Sequence, residues 1–101
     1  MNEEKAILII TAKVNKTNME ELPSYKNKIG PVLGKYCAQP VASYKVFQDV
    51  VGTDSPELVS ILEFPNSQAI NDAINSEEFK ALAELRARVF SKLNLVIGKA
   101  S

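Results

Sequence analysis

The chain has 101 residues, 46% hydrophobic and 24% charged, which fits a single domain over residues 1–101 and argues against a disordered or bilayer-embedded chain. Twelve basic and twelve acidic side chains cancel, so the basic footprint that nucleic acid or anionic lipid selects is missing. Histidine is absent, which removes Ser–His and Cys–His nucleophile pairs and the commonest metal ligand.

The opening MNEEKAILIITAKV carries acid before its apolar run and has no small-residue cleavage site, so it reads as a first strand rather than a signal peptide. Cys37 is the single cysteine; no internal disulfide can form, which fits a reducing cytoplasm. Acidic residues are scattered and Gly30, Gly34, Gly52 and Gly98 are isolated. Neither a metal site nor a phosphate loop is expected, and no cofactor.

From Lys5 to Val14 the residues alternate, yet both faces are apolar: Ala6, Leu8, Ile10, Ala12 and Val14 on one, Ile7, Ile9 and Thr11 on the other. Such a strand must be covered on both sides. Asn15 to Asn18 reads as a polar connection. A helix comes next, with Leu22, Tyr25, Ile29, Val32, Leu33 and Tyr36 on one stripe, a first turn near Pro23, and a kink expected at Pro31. VASYKVFQDVV (41–51) reads as a second strand, bent or bulged at its far end. GTDSP (52–56) carries turn chemistry. Glu57 to Phe64 is a third strand, again two-sided, with Leu58, Leu62 and Phe64 against Val59 and Ile61.

Pro65 stops that strand, and Asn66 or Ser67 can cap the next helix. Ala69, Ile70, Ala73 and Ile74 form one apolar stripe; Phe79, Leu82, Ala83, Leu85, Val89 and Phe90 form another. Between them Asn75 suits a left-handed helix end and Ser76 an N-cap, with Glu77 and Glu78 favourable in the next first turn. Two helices meeting at a corner explain the pair; one helix with two exposed polar residues is the alternative. Leu93 to Ile97 is a last short strand.

The order β-α-β-β-α-β predicts an α+β, ferredoxin-like domain: an antiparallel sheet with helices on one face. Since strands one and three are apolar on the other face too, a twofold homodimer joined sheet to sheet is expected.

LEFPNSQAINDAINSEEFKALAELRARVF (62–90) resembles the second half of the domain-of-unknown-function 1330 family, within the dimeric α+β-barrel superfamily that also holds the antibiotic-biosynthesis monooxygenases. The matching residues are Glu63-Phe64-Pro65, the Ser76-x-x-Phe79 corner and Leu85-Arg86, with Tyr25, Pro31 and Tyr36 in the first helix. Where the family usually has Gly-Gly-Arg and then Arg-Gly-Gly, this chain has Cys37-Ala38-Gln39 and Ser43-Tyr44-Lys45. The resemblance therefore implies a pocket that is narrower and less cationic here.

Glu63 is the candidate catalytic acid or base, since a carboxyl group among Val59 and Ile61 on a covered face would be desolvated. Its alternative is a strand-end residue paired with a cation or capping the next helix. Arg86, Tyr44 and Tyr36 are candidate substrate-binding groups, with Thr11 and Asn94 facing a shared cavity. Arg86 has the alternative of an ion pair with Glu63 or with Glu77, Glu78 and Glu84, and the tyrosines that of amphipathic packing. Cys37 lacks a histidine to activate it and is not expected to be a nucleophile.

Two functions remain open. One is a small-molecule binder, enzymatic if the superfamily's cofactor-independent monooxygenase or isomerase chemistry carries over, with Glu63 as base and Tyr44 and Arg86 orienting an oxyanion. The other is a non-catalytic dimeric ligand-sensing or interaction module. The expected partners are a second copy of the chain and a small organic ligand, with neither nucleic acid nor membrane.

Overall fold

The computed structural model describes residues 4–100. In chain order it contains β1 (Ala6–Val14), a 3-10 helix (Lys16–Glu21), α1 (Leu22–Gly34), β2 (Gln39–Lys45), β3 (Leu58–Phe64), α2 (Ser67–Ile74), α3 (Glu77–Ala81), α4 (Ala83–Val89) and β4 (Phe90–Gly98). The sheet is antiparallel in the order β2-β3-β1-β4. This is the expected ferredoxin-like α+β arrangement.

Period-two alternation splits the sheet cleanly. The pairs Ala6↔Phe64, Leu8↔Leu62 and Ile10↔Leu95 lie on the helix side. There Ala6, Leu8 and Phe64 form one core with Leu33 of α1 and Ile70 and Ala73 of α2. Leu8, Phe64, Ile70 and Val89 are at most 1% exposed, and each such burial stabilises by about 1.5–3 kcal/mol. Leu8→Ala, which would leave a cavity at the centre of that cluster, should cost about 2–5 kcal/mol. The pairs Ile7↔Glu63, Ile9↔Ile61, Thr11↔Val59 and Tyr44↔Val59 lie on the opposite face, which carries no helix.

The corner at Asn75-Ser76 exists, and Ser76 is its N-cap: the side chain accepts from the Phe79 N–H at 3.2 Å and donates to the Ala73 carbonyl at 2.7 Å. Asn66 caps α2 by accepting from the Ala69 N–H at 2.9 Å. Asn75 does not adopt the expected left-handed conformation; its φ of −96° and ψ of 1° let its N–H bond back to Asn71 and close α2 as a tight turn. A second break comes at Leu82 (φ −94°, ψ 6°), so the expected long helix is α3 plus α4.

The left-handed residue lies elsewhere, after α1. Cys37 has φ 69°. Its N–H reaches the Gly34 carbonyl at 3.0 Å, and the Ala38 N–H reaches that of Leu33 at 3.3 Å. This is the paired closure of a Schellman motif, with Ala38 and Leu33 both packed in the core. α1 itself runs through Pro31 without interruption.

Three boundaries differ from the sequence reading. The polar connection after β1 is helical, started by the Asn15 side chain accepting from the Thr17 N–H at 3.0 Å. β4 begins at Phe90, because α4 passes straight into it and Phe90 pairs with Val14. β2 ends at Lys45 rather than Val51, and its bulge lies at Pro40/Ala42, near its start. One further rung joins the Val46 N–H to the Glu57 carbonyl at 2.8 Å. Pro56 has no N–H to continue the ladder, and the positive φ of Gly52 (90°) and Asp54 (60°) turns the chain back.

Candidate functional site

Beneath α1 and α3, on the helix side of the sheet, Ile10, Leu93 and Leu95 form the floor of a cavity of about 60 Å³. Its walls are Tyr25, Ile29 and Leu33 of α1, Phe79 of α3 and Phe90 at the start of β4. Tyr25 is 8% exposed and is the one polar side chain in this lining. It lies edge-on to Phe90, with ring centroids 5.4 Å apart and planes at 87°, a favourable quadrupole arrangement.

Arg86 of α4 holds this end of the cavity. Its Nε donates to the Tyr25 hydroxyl oxygen at 3.0 Å, and its Nη2 donates to the Phe79 carbonyl at 2.8 Å. The guanidinium also lies over the Phe79 ring, 3.9 Å from the centroid, a cation–π contact worth about 0.5–2 kcal/mol. Arg86 therefore joins α1, α3 and α4 through hydrogen bonds and a ring face, and the ion pairs anticipated with Glu63 or the α3–α4 acids do not form. The Tyr25 oxygen accepts from Arg86, so its own O–H is not the donor in this bond.

The sequence-derived candidates fall on two sides of the sheet. Arg86 is on the helix side, as is Tyr36, which packs against the core at the end of α1. Glu63, Tyr44, Thr11 and Asn94 are on the open face. Glu63 and Arg86 thus do not converge, and the combination of a Glu63 base with Arg86 on one substrate is not built. Glu63 meets the Lys5 ammonium at 3.4 Å, with 34% of its side chain exposed, which is the cation-paired alternative. Lys5, Cys37, Gln39, Phe64 and Pro65 surround it in a shallow depression.

Thr11 and Asn94 do share a hollow, at the far end of the open face, with Lys13, Lys92, Asp54 and Pro56. Asp54 accepts from Lys13 and, at 3.0 Å, from Lys92. Those two hydrogen-bonded ammonium groups hold its carboxyl down at about 2, and Lys13 is raised in return. Nearby, Glu57 is lowered chiefly by the Val14 N–H it accepts at 2.8 Å, then by Lys16. Among the described residues no group of three or more Cys, Asp and Glu could hold a metal ion, and no helix is long and apolar enough to cross a membrane.

Tyr25 and Phe79 stand out in the sequence only as packing and family-matching residues, not as candidate binding groups. Tyr25 reads as one more member of the α1 stripe. The available signal was its hydroxyl, a polar atom set between Leu22 and Ile29 on a face that packs inward.

Strand order and helix layer together define a ferredoxin-like α+β protein. The chain belongs to the family described as domain of unknown function (DUF1330), whose model matches residues 5–100. Solved structures share the fold at low identity. A protein of unknown function from Rhodopseudomonas palustris superposes with a TM-score of 0.82 at 15% identity, over 99% of this chain and 85% of that one. A dabb family protein with a ferredoxin-like fold from Mesorhizobium loti gives 0.72 at 9% identity, over 98% and 99%. SnoaB, a cofactor-independent oxygenase from Streptomyces nogalater, gives 0.69 at 12% identity, over 97% and 94%. No curated protein matches the sequence.

Proposed function

We propose that this chain is a small-molecule-binding protein that works as a homodimer, with the ligand seated between helix layer and sheet. The observation that carries it is the pairing of an all-apolar cavity with one polar pole, the Tyr25 hydroxyl fixed by Arg86 at 3.0 Å. Binding sites commonly combine an apolar lining with a few placed polar groups. Such a pole suits a ligand with an apolar body and one oxygen: Tyr25 donates to that oxygen, and Arg86 favours it when it is anionic.

Size narrows the class. A cavity of about 60 Å³ holds a few non-hydrogen atoms, whereas a benzene ring occupies a cavity of about 150 Å³. A ring-sized ligand therefore requires Phe79 or Phe90 to turn aside. The homodimer joins through the open sheet face, where Ile7, Ile9, Val59 and Ile61 are half-buried and Tyr44 and Val96 are exposed. Likeness in fold to a cofactor-independent oxygenase supports turnover of the bound ligand as an extension of this reading, with Tyr25 as the proton-bearing group. Glu63 would then serve a different site, on the dimer side of the sheet.

Phenol titration followed by methyl and aromatic NMR tests the pocket. Shifts confined to Ile10, Ile29, Leu93, Leu95, Phe79 and Phe90, and lost in Arg86→Met, are expected. Shifts on the open face, or none, would sink the proposal. Glu63→Gln should leave phenol binding unchanged.

A further inference from the structure

We infer that residues 46–57, the segment between β2 and β3, form an arm whose apolar side chains seat on a second copy of this chain; this rests on the homodimer reading above. Connections between strands are normally polar. Here Phe47 is 93% exposed, Val51 92% and Val50 87%. Each shows almost all of an apolar side chain to water, and together they form a patch of the kind that marks an interaction site.

The arm is held in position. Val46 and Glu57 pair across its base at 2.8 Å, and the Glu57 N–H donates to the Ala12 carbonyl at 2.8 Å. Asp54 is tied to Lys13 of β1 and Lys92 of β4, residues on the open face. The far limb of the arm is thereby anchored on one end of that face, while Phe47, Val50 and Val51 stay clear of the chain's own core. The molecule measures 46 × 34 × 16 Å. A thickness of 16 Å accommodates one sheet and one helix layer, which leaves no room for a further layer across the whole open face.

A second copy is the occupant that the surface area favours. The chain exposes 6850 Å², whereas a folded monomer of its mass exposes about 5,700 Å². The excess is of the order that one partner buries in a standard interface, about 800 Å². The radius of gyration, 14.1 Å, likewise exceeds the roughly 12.7 Å of a compact domain this long. A lipid surface is disfavoured, because residues 46–57 include Asp49, Asp54 and Glu57 and neither Lys nor Arg. Twelve cations against twelve anions leave two copies free of net repulsion.

Sedimentation equilibrium on the wild type and on the triple variant Phe47→Ser/Val50→Ser/Val51→Ser tests the arm, with circular dichroism to verify folding. We expect a wild-type dimer whose dissociation constant rises at least 100-fold in the triple variant. A spin label on Val51→Cys, in a Cys37→Ser background, should also broaden open-face amides such as Ile9 and Val96 on unlabelled, ¹⁵N-enriched chains mixed with it. A dimer that tolerates the triple variant unchanged, without intermolecular broadening, overturns the arm while leaving the homodimer standing. A monomeric wild type overturns both, and phenol binding by that monomer would leave the pocket reading intact.

Discussion

Arg86 and Tyr25, separated by 61 positions in sequence, are joined by a 3.0 Å hydrogen bond that runs from the guanidinium to the phenolic oxygen. The bond ties α4 to α1 beside the apolar cavity that Tyr25, Ile29 and Leu33 of α1 and Phe79 of α3 line. Tyr25→Phe should leave Arg86 Nε unpaired in a half-buried position and lower stability by about 1–2 kcal/mol. Phenol affinity should fall with it, whereas a solely structural hydroxyl would change the urea midpoint and leave affinity alone.

Ser76 answers for the corner between α2 and α3. Its hydroxyl accepts from one N–H and donates to one carbonyl while 8% exposed. Ser76→Ala removes both bonds and strands the Phe79 N–H, so about 1–2 kcal/mol should be lost. The effect on Phe79 makes the variant informative: hydrogen exchange should accelerate at Phe79 and Lys80 before it does in the strands.

Cys37→Gly is expected to stabilise. A non-glycine residue at φ 69° carries a steric cost of about 1 kcal/mol, and glycine meets the same Schellman bonds without it. Urea denaturation should show a higher midpoint at unchanged slope. A lower midpoint would mean that the thiol makes an energetic contribution of its own.

Acid should loosen the end of the sheet where Asp54 holds Lys13 and Lys92. Its carboxyl is held near 2, below the ordinary 3.8, by those two ammonium groups. A depressed folded-state value means that the contribution is fully present above about pH 4 and is lost as the pH falls towards 2. Glu57, Glu21 and Glu78 are lowered by their own partners and add to the same trend. Asp54→Asn should flatten the fall of Tm between pH 4 and 2, and 1 M salt should mimic it, since these groups are exposed. Identical pH profiles would exclude Asp54.

Much of this architecture was legible because alternation is a strong signal. Ala6 to Val14 reports, residue by residue, which side chains meet the helices and which meet the open face. Ser76 was legible as a cap because few other roles suit a serine followed by two glutamates. The site was less so. Glu63 draws notice as an acid among apolar neighbours, but the sequence does not place it across the sheet from Arg86. Tyr25, hidden in a hydrophobic stripe, gains its meaning only when α4 folds against it. The segment reads as strand because Val46, Phe47, Val50 and Val51 have high strand propensity; Val46 adds one rung with Glu57, but with Pro56 beyond it and positive φ at Gly52 and Asp54 the ladder stops before Phe47, Val50 and Val51.

The single sheet between the two faces has a consequence for how this chain can vary. Consecutive codons of β1 answer to separate selections: even-numbered residues 6, 8, 10 and 12 shape the interior, odd-numbered 7, 9 and 11 the exterior. Substitutions at one set change the packing beneath the helices while leaving the open face as it is, and the reverse. An insertion or deletion of one residue exchanges the two sets wholesale, so strand length is the one property here that cannot drift.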